Sequence, residues 1–114
     1  MRKVTSQVVT AFLAGRPKKV GNTYTNGFGL SLHGNRIAEF SDAEPNKIRF
    51  TLAGWPTPTT RERLNAIPGV GIFQRKGEQY AMTPAGNSMK LDPCRWYSIS
   101  DLETYDHELS QIDQ

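Results

Sequence analysis

The chain has a single cysteine, Cys94, among 114 residues, so it closes no intramolecular disulfide, and a disulfide-stapled secreted scaffold is excluded. A reducing compartment is the expectation. No apolar run approaches the roughly 20 residues needed to span a bilayer. The stretch after Met1-Arg2-Lys3 is short and broken by Gln7 and Thr10, unlike a signal-peptide core. These absences lead to the expectation of a soluble, intracellular protein without membrane contact. Fixed-period repeats and low-complexity tracts are also lacking, which argues against solenoids and coiled coils. Cations are missing from one region altogether. Residues 96 to 114 carry five acids (Asp101, Glu103, Asp106, Glu108 and Asp113) and no Lys or Arg, a net −5. Residues 1 to 95 carry all 14 positive charges against six acids, a net +8, so the overall +3 hides a basic body followed by an acidic end. A basic body attracts polyanions, and an acidic segment can compete for the same surface.

What is present reads as one α+β domain. Val4, Val8 and Phe12 recur at a spacing of four, widened by Val9 and Leu13, and predict a helix over Thr5 to Ala14 with Thr5 as its N-cap. Gly15 and Pro17 end it. From Val20 to Ala53 the turn dipeptides Asn26-Gly27 and Gly34-Asn35 and the alternation of Phe28, Leu30 and Leu32 predict a hairpin over about 28 to 41. Ile48, Phe50 and Leu52 alternate with Lys47, Arg49 and Thr51 as a third strand, after an acidic loop over Ser41 to Asn46. Thr59-Thr60-Arg61-Glu62 has the capping-box pattern, with Leu64 and Ile67 as the buried face of the helix and Arg61, Arg63 and Asn65 as its wet one. Val70 to Met82 reads as a hairpin turning at Arg75-Lys76-Gly77-Glu78, and residues 84 to 95 as a connector. A last helix follows from the box Ser100-Asp101-Leu102-Glu103 and the stripe Leu102, Tyr105, Leu109 and Ile112. The expected architecture is a single compact domain, an antiparallel sheet with an N-terminal helix, a short central helix and an acidic C-terminal helix. Residues 1–99 form its core and 100–114 its tail, and the two longer helices pack on the sheet.

No constellation for catalysis stands out. His33 is beside a turn, His107 is on the tail helix and Cys94 is in the connector, so neither a nucleophile pair nor a metal-ligand spacing is apparent. Gly27-Phe28-Gly29 lacks the third glycine and the strand-to-helix context of a dinucleotide loop, and no Gly-Lys-Ser/Thr occurs. The expectation is a protein that is not an enzyme, with no cofactor and no metal. What remains is basic and aromatic. Arg16, Lys18, Lys19, Lys47, Arg49, Arg75 and Lys76 would neutralise phosphates if they shared a face, with Tyr24, Phe73 or Tyr80 stacking on bases. The plainer reading is a charged exterior over a core that takes most of the aromatics, Trp55 and Trp96 among them as core or groove residues.

The segments Val20-Gly21-Asn22-Thr23, Leu32 to Ala38 and above all Gly54-Trp55-Pro56-Thr57-Pro58-Thr59-Thr60-Arg61-Glu62-Arg63-Leu64-Asn65-Ala66-Ile67-Pro68-Gly69 resemble a family of small accessory proteins of tailed bacteriophages. The likeness covers residues 4 to 82, and the acidic helix lies beyond the pattern. The resemblance carries over no catalytic or cofactor residue. It implies the cytoplasm of an infected bacterium and a target in nucleic-acid metabolism or host defence. Three expectations stand side by side. One is nucleic-acid binding through the seven cations. The second is a host-protein inhibitor whose contact is the basic face or the acids Asp101, Glu103, Asp106 and Glu108. The third is a homodimer with the acidic helix of one chain on the basic face of the next.

Overall fold

The computed structural model describes residues 2–42 and 47–112. Residues 43–46 of the expected acidic loop lie outside the described residues. Helix α1 (Lys3–Leu13) is followed by five strands, β1 (Pro17–Val20), β2 (Thr23–Asn26), β3 (Gly29–Leu32), β4 (Asn35–Phe40) and β5 (Ile48–Phe50). Then come helix α2 (Pro58–Asn65), strands β6 (Ile72–Arg75), β7 (Glu78–Met82), β8 (Ser88–Leu91) and β9 (Tyr97–Ser98), and helix α3 (Ile99–Ile112). The α+β class is therefore borne out, but the single expected sheet is two. A six-stranded sheet runs β1-β2-β3-β4-β5-β9 and a three-stranded sheet runs β6-β7-β8, all antiparallel where paired.

One core joins both sheets. Val8, Val9 and Phe12 of α1 meet Leu30, Leu32, Ile37, Ala38 and Phe50 from one face of the large sheet, together with Leu64 of α2 and Ile72, Ala81, Met89 and Leu91 from the small one. Ile37 and Ala38 are consecutive yet both buried, because the β3–β4 register slips by one residue between Leu30 and Ser31. Such a bulge puts two neighbours of one strand against one of the other.

Several expected details move. β1 takes up the basic run after α1, with Pro17 at its first position on the sheet edge, where a missing N–H costs no ladder bond. The β3–β4 turn is centred on His33-Gly34, whose φ angles of 52° and 80° are the left-handed pair a two-residue hairpin needs, one position earlier than Gly34-Asn35. At the β2–β3 turn Asn26 Oδ1 accepts from the Phe28 and Gly29 amides at 2.9 and 2.8 Å, and Gly27 sits at φ 92°. A Cβ on Gly27 would lie 2.7 Å from the Gly15 carbonyl oxygen, so only glycine lets this turn close on the end of α1.

Helix starts differ most. α1 begins two residues before Thr5, and Arg2 occupies the N-cap without a side-chain bond. Thr57 rather than Thr59 caps α2, its hydroxyl accepting from the Thr60 amide at 3.1 Å, because Pro58 fits the first turn where no N–H is needed. The box before α3 is Ser98 and Asp101, each bonding the other's amide at 3.2 and 2.8 Å, two residues earlier than the Ser100 box. The connector over 84 to 95 contains β8, which pairs with β7 from Gln79↔Leu91 to Met82↔Ser88.

Candidate functional site

The two faces of the large sheet differ in kind. Its inner face is the core. Its outer face carries two rows of side chains set by strand register. Lys19 pairs with Tyr24, Tyr24 with Ser31 and Ser31 with Arg36, a row across β1 to β4. Gly29 pairs with Glu39, Glu39 with Arg49 and Arg49 with Ser98, a second row across β3, β4, β5 and β9. Since side chains alternate along each strand, the buried partners Thr23, Thr25, Leu30, Ala38 and Phe50 leave these residues facing out.

Arg36 reaches between the rows. Gly29 has no side chain, and a Cβ there would lie 2.5 Å from Arg36 Nε, so the glycine lets the guanidinium lie flat on the sheet. From there Arg36 is 6.0 Å from the centre of the exposed Phe28 ring and 3.8 Å from Glu39. Arg49 holds the other Glu39 oxygen at 2.9 Å and stacks over Trp96 at 4.9 Å. The outer face thus presents Lys19, Arg36 and Arg49 interleaved with Tyr24 and Trp96, the Phe28 ring stands beside Arg36 at the β2–β3 turn, and Glu39 is the acid of the two rows.

The seven cations singled out in the sequence are not brought together. Lys19 and Arg49 are on the outer face, but β1 and β5 are separated by three strands, about 19 Å at ~4.8 Å per strand. Lys47 is exposed just ahead of β5. Lys18 pairs with the inward-facing Thr25 and, with Arg16, borders a groove along α1. Arg75 and Lys76 are on the other sheet, where Arg75 lies over Phe73 and Tyr80 at 5.4 and 5.7 Å and the two rings stack at 5.6 Å. Phe73 and Tyr80 therefore form a separate platform. Arg36 and Trp96 are binding candidates that the chain pattern does not single out, although Gly29 on a strand is a usable signal of a close approach.

The supposedly wet face of α2 is the largest correction. Arg63 is 2% exposed. Its Nε donates to Thr23 Oγ1 at 2.9 Å, and its terminal nitrogen donates to Thr5 Oγ1 at 2.5 Å and to Glu62. Thr5 in turn donates to Glu62, whose other oxygen accepts from the Arg2 amide at 3.3 Å. Thr5 is thus a core hydroxyl, not a cap, and one buried guanidinium ties α1, β2 and α2. Burial pushes the Glu62 carboxyl up, but the Thr5 hydrogen bond, the Arg2 amide and the charges of Arg63 and Arg2 outweigh it and hold Glu62 below the usual carboxylate range. Arg61 donates to the Pro56 carbonyl at 2.9 Å and to Gln79 at 3.0 Å, and Asn65 bonds both the amide and the carbonyl of Ile72.

The acidic helix is attached rather than free. Leu102 belongs to the core, and Asp106 accepts from Thr83, Asn87 and the Ala85 amide at 2.6, 2.8 and 3.0 Å. The Thr83 bond, against the cost of burial and with help from Asn87 and Ala85, holds the Asp106 carboxyl below its usual range. Asp106 is thereby occupied within the fold, while Glu103 and Glu108 are exposed. Asp101 shares a depression with Arg49 and Trp96. Among the described residues no group of three or more His, Cys, Asp or Glu is placed to hold a metal, and no helix is long and apolar enough to cross a membrane.

The chain is a small α+β protein of a bacteriophage family. The chain belongs to the Kyanoviridae Gp96 protein family, whose model matches residues 1–101. The match runs past the expected limit at residue 82, taking in β8, β9 and Trp96, and stops one residue before Leu102. No curated protein matches the chain, and no solved structure does.

Proposed function

We propose that this phage protein is a non-enzymatic accessory factor that binds single-stranded nucleic acid through the outer face of its six-stranded sheet, in the infected bacterial cytoplasm. The observation that carries the reading is the interleaving of Lys19, Arg36 and Arg49 with the exposed ring of Tyr24 and the half-exposed ring of Trp96 on one face, with the exposed Phe28 ring beside Arg36 at its turn. Cations displace counterions from phosphates, and rings accept unpaired bases by stacking whatever their sequence. A flat sheet suits a single strand, whose bases splay onto it, better than a duplex, whose bases are paired inward.

The test is fluorescence anisotropy of a labelled single-stranded oligonucleotide across a salt series. Three phosphate contacts correspond to a slope of about −2 in log affinity against log salt. The variant Lys19→Ala/Arg36→Ala/Arg49→Ala removes binding, and Arg75→Ala/Lys76→Ala leaves most of it. Absence of binding at low salt, or an unchanged triple variant, refutes the reading. A host protein retained from nuclease-treated lysate in that case replaces it with the inhibitor alternative.

A further inference from the structure

At the opposite side of the large sheet from the cationic face, a cavity of about 490 Å³ opens between the β3–β4 turn and the segment from Ala53 to Thr60. Its floor is the inward face of Leu32, Ile37 and Leu52. Trp55 stands at its lip, 60% exposed, more than any other large aromatic among the described residues. None of its lining residues is Lys, Arg, Asp or Glu. An indole wall over an apolar floor with no ionic partner suits a flat, uncharged group.

The backbone is bent to make this wall. Ala53 is held at φ 53° and Gly54 follows at 77°, reversing the chain so that Trp55 emerges to solvent. Its amide bonds the Leu52 carbonyl at 2.8 Å, while Gly54 bonds the Pro93 carbonyl at 2.9 Å. Alanine gains nothing from the left-handed region, and a residue kept there beside a cavity points to a functional constraint. His33 also lines the cavity, at a φ of 52° that its hairpin turn requires.

One polar group of the cavity, His33, is held by hydrogen bonds from outside it. Arg63 can only donate, so the Thr23 hydroxyl that accepts from it passes its own hydrogen to Asn22 Oδ1 at 3.0 Å. That bond orients the Asn22 amide so that its nitrogen donates to His33 Nε2 at 3.1 Å. With Nε2 engaged by Asn22, Nδ1 is the remaining ring nitrogen of His33. Asn35 and Thr59 also line the cavity and make no side-chain hydrogen bond among the described residues, so a primary amide and a hydroxyl stand ready as donor and acceptor. An aliphatic occupant would cover the floor but leave these groups unpaired. A heteroaromatic ring with donors and acceptors on its edge satisfies both.

We infer that this cavity is a binding site for a nucleobase, stacked on Trp55 with its edge read by Asn35, Thr59 and His33. As the destination of a base from a bound strand it rests on the nucleic-acid reading, whereas as a site for a free nucleoside it stands without that reading. The two tryptophans separate these cases, because Trp55 belongs to the cavity and Trp96 to the outer face.

The experiment is fluorine NMR of the full chain labelled with 5-fluorotryptophan, with Trp55→Phe to assign the two resonances. Probes are adenosine, guanosine, cytidine and uridine, an oligonucleotide, and the same oligonucleotide with abasic positions. A nucleoside shifts the Trp55 resonance saturably, equally at low and high salt, and leaves Trp96 in place. Asn35→Ala, on the surface, weakens that response at least tenfold while preserving the unbound spectrum. If the base comes from a strand, the intact oligonucleotide moves both resonances and the abasic one moves Trp96 alone. If the ligand is a free nucleoside, Trp55 responds to nucleoside and not to the oligonucleotide. Movement of Trp96 with a Trp55 resonance unmoved by every probe overturns the cavity and spares the outer face. Movement of Trp55 by nucleoside with Trp96 silent to every oligonucleotide does the reverse. A Trp55 resonance silent to every probe overturns the cavity whatever Trp96 does.

Discussion

Helices α1 and α3 sit at opposite ends of the same chain, both amphipathic, and the shorter is the better anchored. α1 has 11 residues and buries Thr5, Val8, Val9, Ala11 and Phe12, whereas α3 has 14 and fully buries only Leu102. Each is also held by a carboxylate accepting several hydrogen bonds. Glu62 does this for α1 beside a buried guanidinium. Asp106 does it for α3 at the rim of the β7–β8 turn. The difference shows that amphipathic length does not determine docking. What matters is how many apolar side chains reach the core and whether the polar clamp is shielded from water, where each hydrogen bond is worth more and each lost partner costs more. The family match stops at residue 101, so the weakly held helix is almost wholly outside it.

The sharpest way to break the comparison is Arg63→Met. It leaves the buried Thr5 and Thr23 without their shared donor and the part-exposed Glu62 with Arg2 alone, and each buried polar group so stranded costs about 1–3 kcal/mol. Urea unfolding should show a loss of this size. Arg63→Met with Glu62→Gln should recover part of it, since the stranded charge is then gone. Gly27→Ala comes next. The turn that closes on the end of α1 has φ 92° and no room for a Cβ, so about 1–3 kcal/mol is expected, read the same way.

A smaller effect comes from pH. Because Glu62 has a lowered pKa when folded, the unfolded chain binds its proton first as pH falls. The stability it contributes is full above the ordinary glutamate value of about 4.3 and is lost as pH drops through the lower folded value. Urea midpoints at neutral and acidic pH should converge in Glu62→Gln relative to the parent chain. The smallest global effect belongs to Asp106→Ala. Hydrogen exchange should quicken along α3 while the urea midpoint barely moves, because a helix of this length has little stability without its dock. An unchanged exchange pattern would mean that Leu102 and Tyr105 suffice.

Much of this architecture was legible in local chemistry. The hairpin turning at Lys76-Gly77, the reversal near Gly34, the stop at Gly15 and the stripe of α1 each depend on neighbours in the chain, and they fall within a residue or so of where the pattern puts them. The inner row of the α3 stripe was half right. Leu102 is buried and Tyr105 packs against the core, but Ile112 is 75% exposed because the helix outruns the surface beneath it. Cap residues misled three times, in the N-cap read at Thr5 and the capping boxes read from Thr59 and Ser100. Ser, Thr, Asp and Glu recur so closely there that spacing alone cannot choose the register.

The candidate site was less legible. Its cations were read as clusters along the chain, whereas the outer face is assembled by register across strands as far apart as residues 19 and 49. Arg63 shows the same limit in reverse. An arginine between Glu62 and Leu64 on a helix reads as solvent-facing, and only the arrival of Thr5 and Thr23 from other elements makes its burial affordable. The sequence by itself determined where most of the turns fall, which segments are helical, and that a basic body precedes an acidic end, since these depend on backbone preference and composition, whereas β1, β2, β8 and β9 took their extended form from their pairing partners. Tertiary structure alone decided that the strands divide into two sheets, that Arg63 is a core residue and Asp106 a clamp. It also decided which cations and rings share a face, because each of these depends on contacts between residues that the chain keeps far apart.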